Sequence, residues 1–225
     1  MDLFIGNKNY SSWSMRAWLV LKNFDIPFQE YLIPFDDFQI DGAFKQKILS
    51  INPTGKVPVL KHDDLIVWDS LAICEYLAEL YPDKKLWPQQ VKSRARARSI
   101  TAEMHSGFMA LRSICPMNIE AELTTVGKKF WQESVQLQHD VQRIEALWNA
   151  RPNIDGFLCG EDFTIADAFY APIVMRFISY GIPLNDESQR YMQSILSNTA
   201  TQQWIQEAKR EHHLVECEEP YRTKY

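Results

Sequence analysis

Hydrophobic and polar positions divide the chain into two patterns. Up to about residue 82, short apolar runs alternate with helical stripes, and beyond about residue 90 only helical stripes follow. Leu3, Phe4 and Ile5, ended by Gly6, read as a short buried strand, and Phe28 to Ile33, between Pro27 and Pro34, reads as another. Ser14 to Asp25 carries Met15, Ala17, Trp18, Leu19, Val20, Leu21 and Phe24, with polar positions at Arg16, Lys22 and Asn23. A helix apolar around most of its circumference must be covered on more than one side, which predicts a place between a sheet and a second layer. A shorter helix, Asp41 to Leu49, leads to the turn cluster Asn52, Pro53, Thr54 and Gly55. Val57 to Leu60 and Leu65 to Val67, separated by Lys61, His62, Asp63 and Asp64, predict an antiparallel hairpin. Ser70, Ile73, Cys74, Leu77, Ala78 and Tyr81 then form a helical stripe closed by Pro82. The predicted order is β-α-β-α-β-β-α.

The polar stretch 83–90, punctuated by Pro82 and Pro88, marks a boundary between a mixed domain over residues 1–83 and an all-helical domain over residues 91–215. In the second, long helices are expected from Val91 to Cys115, stopped by Pro116, and from Leu123 to Ala150, stopped by Pro152. Two more are expected from Thr164 to Tyr180 and from Ala200 to His212. Thr164, Ile165, Ala166 and Asp167 form a capping box in its aspartate version, with Phe163 as a staple. The polar tail, Glu216 to Tyr225, is read as either loose or draped over the fold.

Composition adds exclusions. With 46% hydrophobic and 24% charged residues and only 8 Gly and 11 Pro, the chain is neither disordered nor collagen-like. A net charge of −5 offers no general attraction to phosphate backbones or anionic lipid, so no nucleic acid or membrane partner is expected. No apolar run approaches the roughly 18 residues of a membrane span, and Met1 to Asn9 lacks the pattern of a secretory leader, so the expected location is cytoplasmic. The four cysteines, Cys74, Cys115, Cys159 and Cys217, are scattered without CxxC spacing and are read as reduced thiols. His212, His213 and Cys217 lack ligand spacing, and no metal is expected.

Candidate chemistry begins in the loop after the first strand, where Tyr10, Ser11, Ser12 and Ser14 place four hydroxyls at the mouth of a helix, with Arg16 in its first turn. One serine is a sufficient N-cap, whereas four exceed what capping needs. Hydroxyl donors at the positive end of a helix stabilise an anion, and a thiolate held there would have its pKa lowered. Lys56, Val57 and Pro58 open the hairpin, with Pro58 a candidate cis proline and Val57 offering its backbone N–H and C=O. Asp69 and Ser70 start the next helix as caps, and also suit a ligand bearing both an ammonium and a carboxylate.

This element order, the Val57-Pro58 and Asp69-Ser70 positions and the following all-helical region together resemble a glutathione transferase over nearly the whole chain. The run Ser11, Ser12, Trp13, Ser14, Met15, Arg16 resembles the serine-rich loop of the zeta class, with Trp13 where that class usually has cysteine. The resemblance implies an α/β plus all-α architecture, a thioredoxin-like N-terminal domain followed by an all-helical glutathione transferase C-terminal domain. It implies glutathione as co-substrate, no metal, a homodimer, and a detoxifying conjugation or isomerisation of a small electrophile. The thiolate partner is expected at Ser11 or Ser14, with Ser12 beside them and Tyr10 as a further donor. Val57 would pair with the cysteinyl backbone, with Pro58 beside it in the glutathione site, Asp69 and Ser70 hold the γ-glutamyl end, and Lys56 meet the glycyl carboxylate. Trp13, Met104, His105, Phe108 and Arg112 would border the electrophile. Met104, Phe108 and Leu111 also match a core stripe, and Arg112 and His105, if they face the cleft, favour an acidic or hydrogen-bonding electrophile. The absence of cysteine before Cys74 argues against mixed-disulfide chemistry. Maleylacetoacetate-isomerase-like and glutathione-peroxidase activities, or a non-catalytic binding module on the same fold, are the alternatives.

Overall fold

The structure, a computed structural model, describes residues 1–222. The first part follows the predicted order: β1 (Asp2–Ile5), α1 (Ser12–Asn23), β2 (Gln29–Leu32), α2 (Ala43–Leu49), β3 (Val59–His62), β4 (Leu65–Trp68) and α3 (Ser70–Leu80). The strands form one sheet in the order β2-β1-β3-β4, with β1 parallel to β2 and antiparallel to β3, and β3 antiparallel to β4. Phe4 lies opposite Tyr31 on one side and Val59 on the other. Strand alternation sends Leu3 and Ile5 into the core, both fully buried. The Val57-Pro58 bond is cis. This is a thioredoxin-like arrangement, and α1 lies between the sheet domain and the helical domain, in contact with α3 on one side and with helices of the second domain on another.

The helical domain comprises α4 (Val91–Ser106), α5 (Met109–Ile114), α6 (Thr124–Glu133), α7 (Val135–Asn149), α8 (Ile165–Tyr180), α9 (Asp186–Ser197) and α10 (Thr199–Glu211). Two helices expected to be continuous are broken. The first ends at Gly107, where the backbone turns extended, and Phe108 follows in the left-handed region at φ 56°. A Cβ at Gly107 would lie 2.6 Å from the Glu103 carbonyl oxygen, so this tight exit requires glycine. The second breaks at Ser134, which leaves helical geometry and accepts a hydrogen bond from the Leu137 N–H as the cap of α7. α9 was not anticipated. Its signals are short: Asn185 caps it by accepting from the Ser188 N–H, and Asp186 and Glu187 occupy its first turn. No helix among the described residues is long and apolar enough to cross a membrane.

α8 is the centre of the molecule, packed against α1, α4 and α6. The capping box at its start is formed, and the buried Asp167 carboxylate accepts four hydrogen bonds, from the Leu158 N–H, the Thr164 N–H and hydroxyl, and the Tyr191 hydroxyl. Close approach at the other end depends on Gly127, where a Cβ would fall 1.9 Å from the Tyr180 carbonyl oxygen. Gly127→Ala is therefore expected to separate α6 from α8 and to lower stability by about 2–3 kcal/mol, measurable by denaturant unfolding. An unchanged unfolding midpoint would refute that close approach.

α10 returns to the first domain. Trp204 meets Trp18 edge to face at 5.2 Å, and Lys8 pairs with Glu30 and Glu207 beneath them. The following segment is draped as far as it is described: Val215 is buried against Tyr10, Phe35 and Phe44, and Tyr221 meets Phe130. Residues 223–225, the end of the expected tail, lie outside the described residues.

Candidate active site

The loop from β1 to α1 orders its serines in depth. Ser11 is the N-cap of α1 and accepts from the Ser14 N–H. Ser14 is completely buried; its Oγ accepts from the Gly6 N–H at 3.2 Å and stands 2.7 Å from Ser11 Oγ. Ser12 Oγ accepts from Nη2 of Arg176 at 3.3 Å. Ser11 and Ser12 reach a cleft of about 360 Å³ between the two domains, bordered also by Trp13, Arg112, Arg176 and Glu218. Ser14 supports the loop from behind. Tyr10 also borders this cleft, but its hydroxyl donates to Glu219 at 2.6 Å, and burial with that carboxylate pushes the phenol far above its ordinary pKa. Its proton is committed to the tail.

A second cleft of about 470 Å³ adjoins the first through Trp13, Lys56 and Val57, and continues to Asp69 and Ser70. Along it, no hydrogen bond from the rest of the described chain takes up the N–H or C=O of Val57. Asp69 has a positive φ of 73° and caps α3, its Oδ1 accepting from the Leu71 and Ala72 N–H groups. Its Oδ2 lies 3.2 Å from Nε2 of His105, which joins α4 of the helical domain to this end of the cleft. Burial, opposed by Asp69, lowers the pKa of His105, so the neutral imidazole is the form that donates to Asp69. Ser70 is 1% exposed, and its Oγ has no hydrogen-bond partner among the described residues. A buried hydroxyl without a partner costs about 1–3 kcal/mol, which a ligand oxygen at that position would recover.

Between the clefts stands Trp13. The guanidinium carbons of Arg16 and Arg112 lie 4.2 and 4.5 Å from its ring centre, and His105 meets it edge on at 5.3 Å. Arg16 is 1% exposed, and its Nε and Nη1 have no hydrogen-bond partner among the described residues; the guanidinium rests on the faces of Trp13 and Phe169. Burial, with repulsion from Arg112 and Arg176, lowers its pKa strongly, and the same effects bring Arg176 down to about 10. Arg112 and Arg176 donate to carbonyls and to Ser12 and form no ion pair among the described residues. The cleft is therefore positive, and the N-terminus of α1 adds to that sign.

Two expected electrophile-site residues are elsewhere. Met104 is fully buried in the core and borders neither cleft, because its turn of α4 faces α8. Phe108 turns inward at the break after Gly107 and is 7% exposed within the same core. No local sequence pattern singles out Arg176 or Glu218 as a cleft residue. Arg176 follows Ser12 by 164 residues, and within α8 it reads as one polar position on a core helix.

Residues 10–80 match the family model described as "Glutathione S-transferase, N-terminal domain". A probable maleylacetoacetate isomerase of Caenorhabditis elegans is 31% identical over 176 residues, covering 77% of this chain and 77% of the relative. A glutathione S-transferase of Escherichia coli O157:H7 is 32% identical over 167 residues, covering 71% and 75%. The chain belongs to the glutathione S-transferase family. A glutathione transferase homolog from Burkholderia, solved with bound glutathione, shares the fold with a TM-score of 0.69 over 93% of this chain and 98% of its own, at 24% identity. Family membership accounts for the sheet order and the helical second domain together, since glutathione S-transferase relatives match beyond the sheet-bearing part.

Proposed function

We propose that the protein binds glutathione extended across the two clefts and presents its sulfur, as thiolate, at Ser11 to a small electrophile. The observation that carries this is the partnerless, buried hydroxyl of Ser70 at the start of α3, in line with the open backbone of Val57. Val57 receives the cysteinyl backbone in the manner of an added strand. The hydroxyl and N–H of Ser70 take the γ-glutamyl carboxylate, Asp69 attracts the ammonium, and Lys56 attracts the glycyl carboxylate. The sulfur then lies at the serine loop.

Position supports Ser11 as donor: it borders the cleft at the N-terminus of α1, whereas Ser12 is tied to Arg176 and Ser14 is buried behind the loop. Without ligand, the Ser11 hydroxyl donates to Ser14 Oγ at 2.7 Å and accepts from the Ser14 N–H. Rotation about its Cβ–Oγ bond turns that proton toward the sulfur when glutathione binds. Lowering a thiol from about 8.5 by two units requires about 2.7 kcal/mol of differential stabilisation. A charge-assisted hydrogen bond of about 1.5–3 kcal/mol and the helix end, at about 0.3–1, supply it. Arg112 and Arg176 favour an acceptor that carries negative charge or develops it as the sulfur attacks.

Glutathione titration followed by calorimetry tests the reading. Ser70→Ala is expected to weaken binding about tenfold, the loss of roughly 1.4 kcal/mol, with little change in turnover at saturating glutathione. Wild-type protein that binds no glutathione at millimolar concentration would overturn the proposal and favour a binding module.

A further inference from the structure

The serine loop supplies donors to a sulfur, and a thiol that becomes a thiolate must give its proton to something else. Around the cleft that holds Ser11 and Ser12, the charged lining groups are Lys45, Lys56, Arg112 and Arg176, which are cations, and one carboxylate, Glu218. Tyr10, the remaining titratable neighbour, already donates its proton to Glu219.

Glu218 is held in place by the residues beside it. Cys217 Sγ donates to the Asp36 carbonyl at 3.4 Å, and the Glu218 N–H donates to the Val215 carbonyl at 2.9 Å. On the other side, the Glu219 side chain is 4% exposed and is clamped by Tyr10, by Asn118 at 2.7 Å and by Arg222 at 3.3 Å. These contacts tie the tail to the β2–α2 loop, to the serine loop and to the helical domain at once. The two neighbouring carboxylates differ. Glu219 has three partners, whereas the Glu218 carboxylate takes no side-chain hydrogen bond or ion pair among the described residues and borders the cleft. Burial, with Glu219 adding, raises the pKa of Glu218 against the opposing pull of Arg176, which brings a carboxylate closer to the range of a thiol.

Building on the thiolate reading above, we propose that Glu218 is the proton acceptor of this site. As the sulfur settles against Ser11, the S–H bond breaks, its electron pair stays on sulfur, and the proton passes to a Glu218 carboxylate oxygen. The sulfur pair then forms the new C–S bond. In an addition, the displaced π pair becomes a carbanion or enolate that takes the proton back from the Glu218 carboxyl group. In a substitution, the leaving group departs with its bonding pair and receives that proton. Either route returns Glu218 to a carboxylate, and no oxidant or reductant enters. The group is neutral while the thiolate exists, so the sulfur never faces a second anion. Arg112 and Arg176 remain to balance the charge on sulfur.

The test is a proton count. Protein and glutathione are mixed in weakly buffered solution near neutral pH, and thiolate absorbance is followed together with a pH indicator. The wild-type protein is expected to form thiolate without releasing a matching proton, whereas E218Q should release one for each thiolate formed. E218Q should also lose about 10²-fold in kcat/KM at neutral pH, because the carbanion or leaving group then has no carboxyl group from which to take a proton. E218D is expected to restore part of the proton uptake, which a merely structural role for residue 218 would not do. Stoichiometric proton release by the wild-type protein overturns the proposal even if E218Q does not fold, and so does an E218Q proton balance equal to that of wild type. Thiolate formation in that case leaves the Ser11 reading standing, while absence of thiolate in the wild type overturns both.

Discussion

Ser11→Ala is expected to abolish most of the thiolate absorbance of bound glutathione and to lower kcat about 10²–10³-fold, the effect of removing one preorganised donor from a developing anion. Glutathione affinity should change much less, because Val57, Asp69 and Ser70 lie on the adjoining cleft and hold the rest of the tripeptide. Ser12→Ala is the informative companion. Its hydroxyl accepts from Arg176, so its loss frees a guanidinium N–H without removing the Ser11 donor, and the thiolate should persist. Parallel thiolate titrations of the two variants decide between them. If Ser11→Ala keeps both absorbance and turnover while Ser12→Ala loses them, the donor is Ser12 and the Ser11 assignment is wrong.

The largest expected effect on stability comes from Asp167→Ala. It strands the Leu158 and Thr164 N–H groups and two hydroxyls in the interior, each partnerless group costing about 1–3 kcal/mol. Partial relaxation leaves an expected loss of about 3–5 kcal/mol at neutral pH, readable as a shift of the denaturant midpoint. The pH dependence has a definite sign. Burial raises Asp167 to about 6, above its unfolded value, in spite of its four hydrogen bonds. Between about pH 4 and 6 the folded state then holds a proton that the unfolded state has lost, so the stability contributed by this group falls as pH rises through that window. The difference between wild type and Asp167→Ala should accordingly be wider near pH 4.5 than near pH 7.5, by roughly 2 kcal/mol. A difference that is constant or that narrows on acidification would contradict the raised value.

The local signals that proved legible are those in which neighbouring residues make the contact. The Thr164-to-Asp167 spacing closes a capping box because N3 returns to the N-cap within one turn. Asp69 caps α3 and Ser11 caps α1 for the same reason. The breaks at Gly107 and Ser134 were harder to read. Apolar periodicity continues across both, and only the close approach of Gly107 to Glu103 and the capping by Ser134 reveal that the chain turns. Met104 and Phe108 show the converse. The stripe on α4 was visible, but whether it faced the cleft or the core depended on where α8 lay.

By itself, the sequence determined the element order as far as α3, the hydroxyl-rich mouth of α1, the Val57-Pro58 start of the hairpin and the caps at Asp69 and Thr164, since each rests on periodicity or on bonds spanning a few residues. Only the tertiary structure decided the charge of the cleft. Arg176 and Glu218 reach Ser12's cleft from helix α8 and the tail, and Trp13 gathers Arg16, Arg112 and His105 around one ring. Such groupings arise from helices crossing at distances in sequence where no spacing rule operates, and burial then sets the proton affinity of each member.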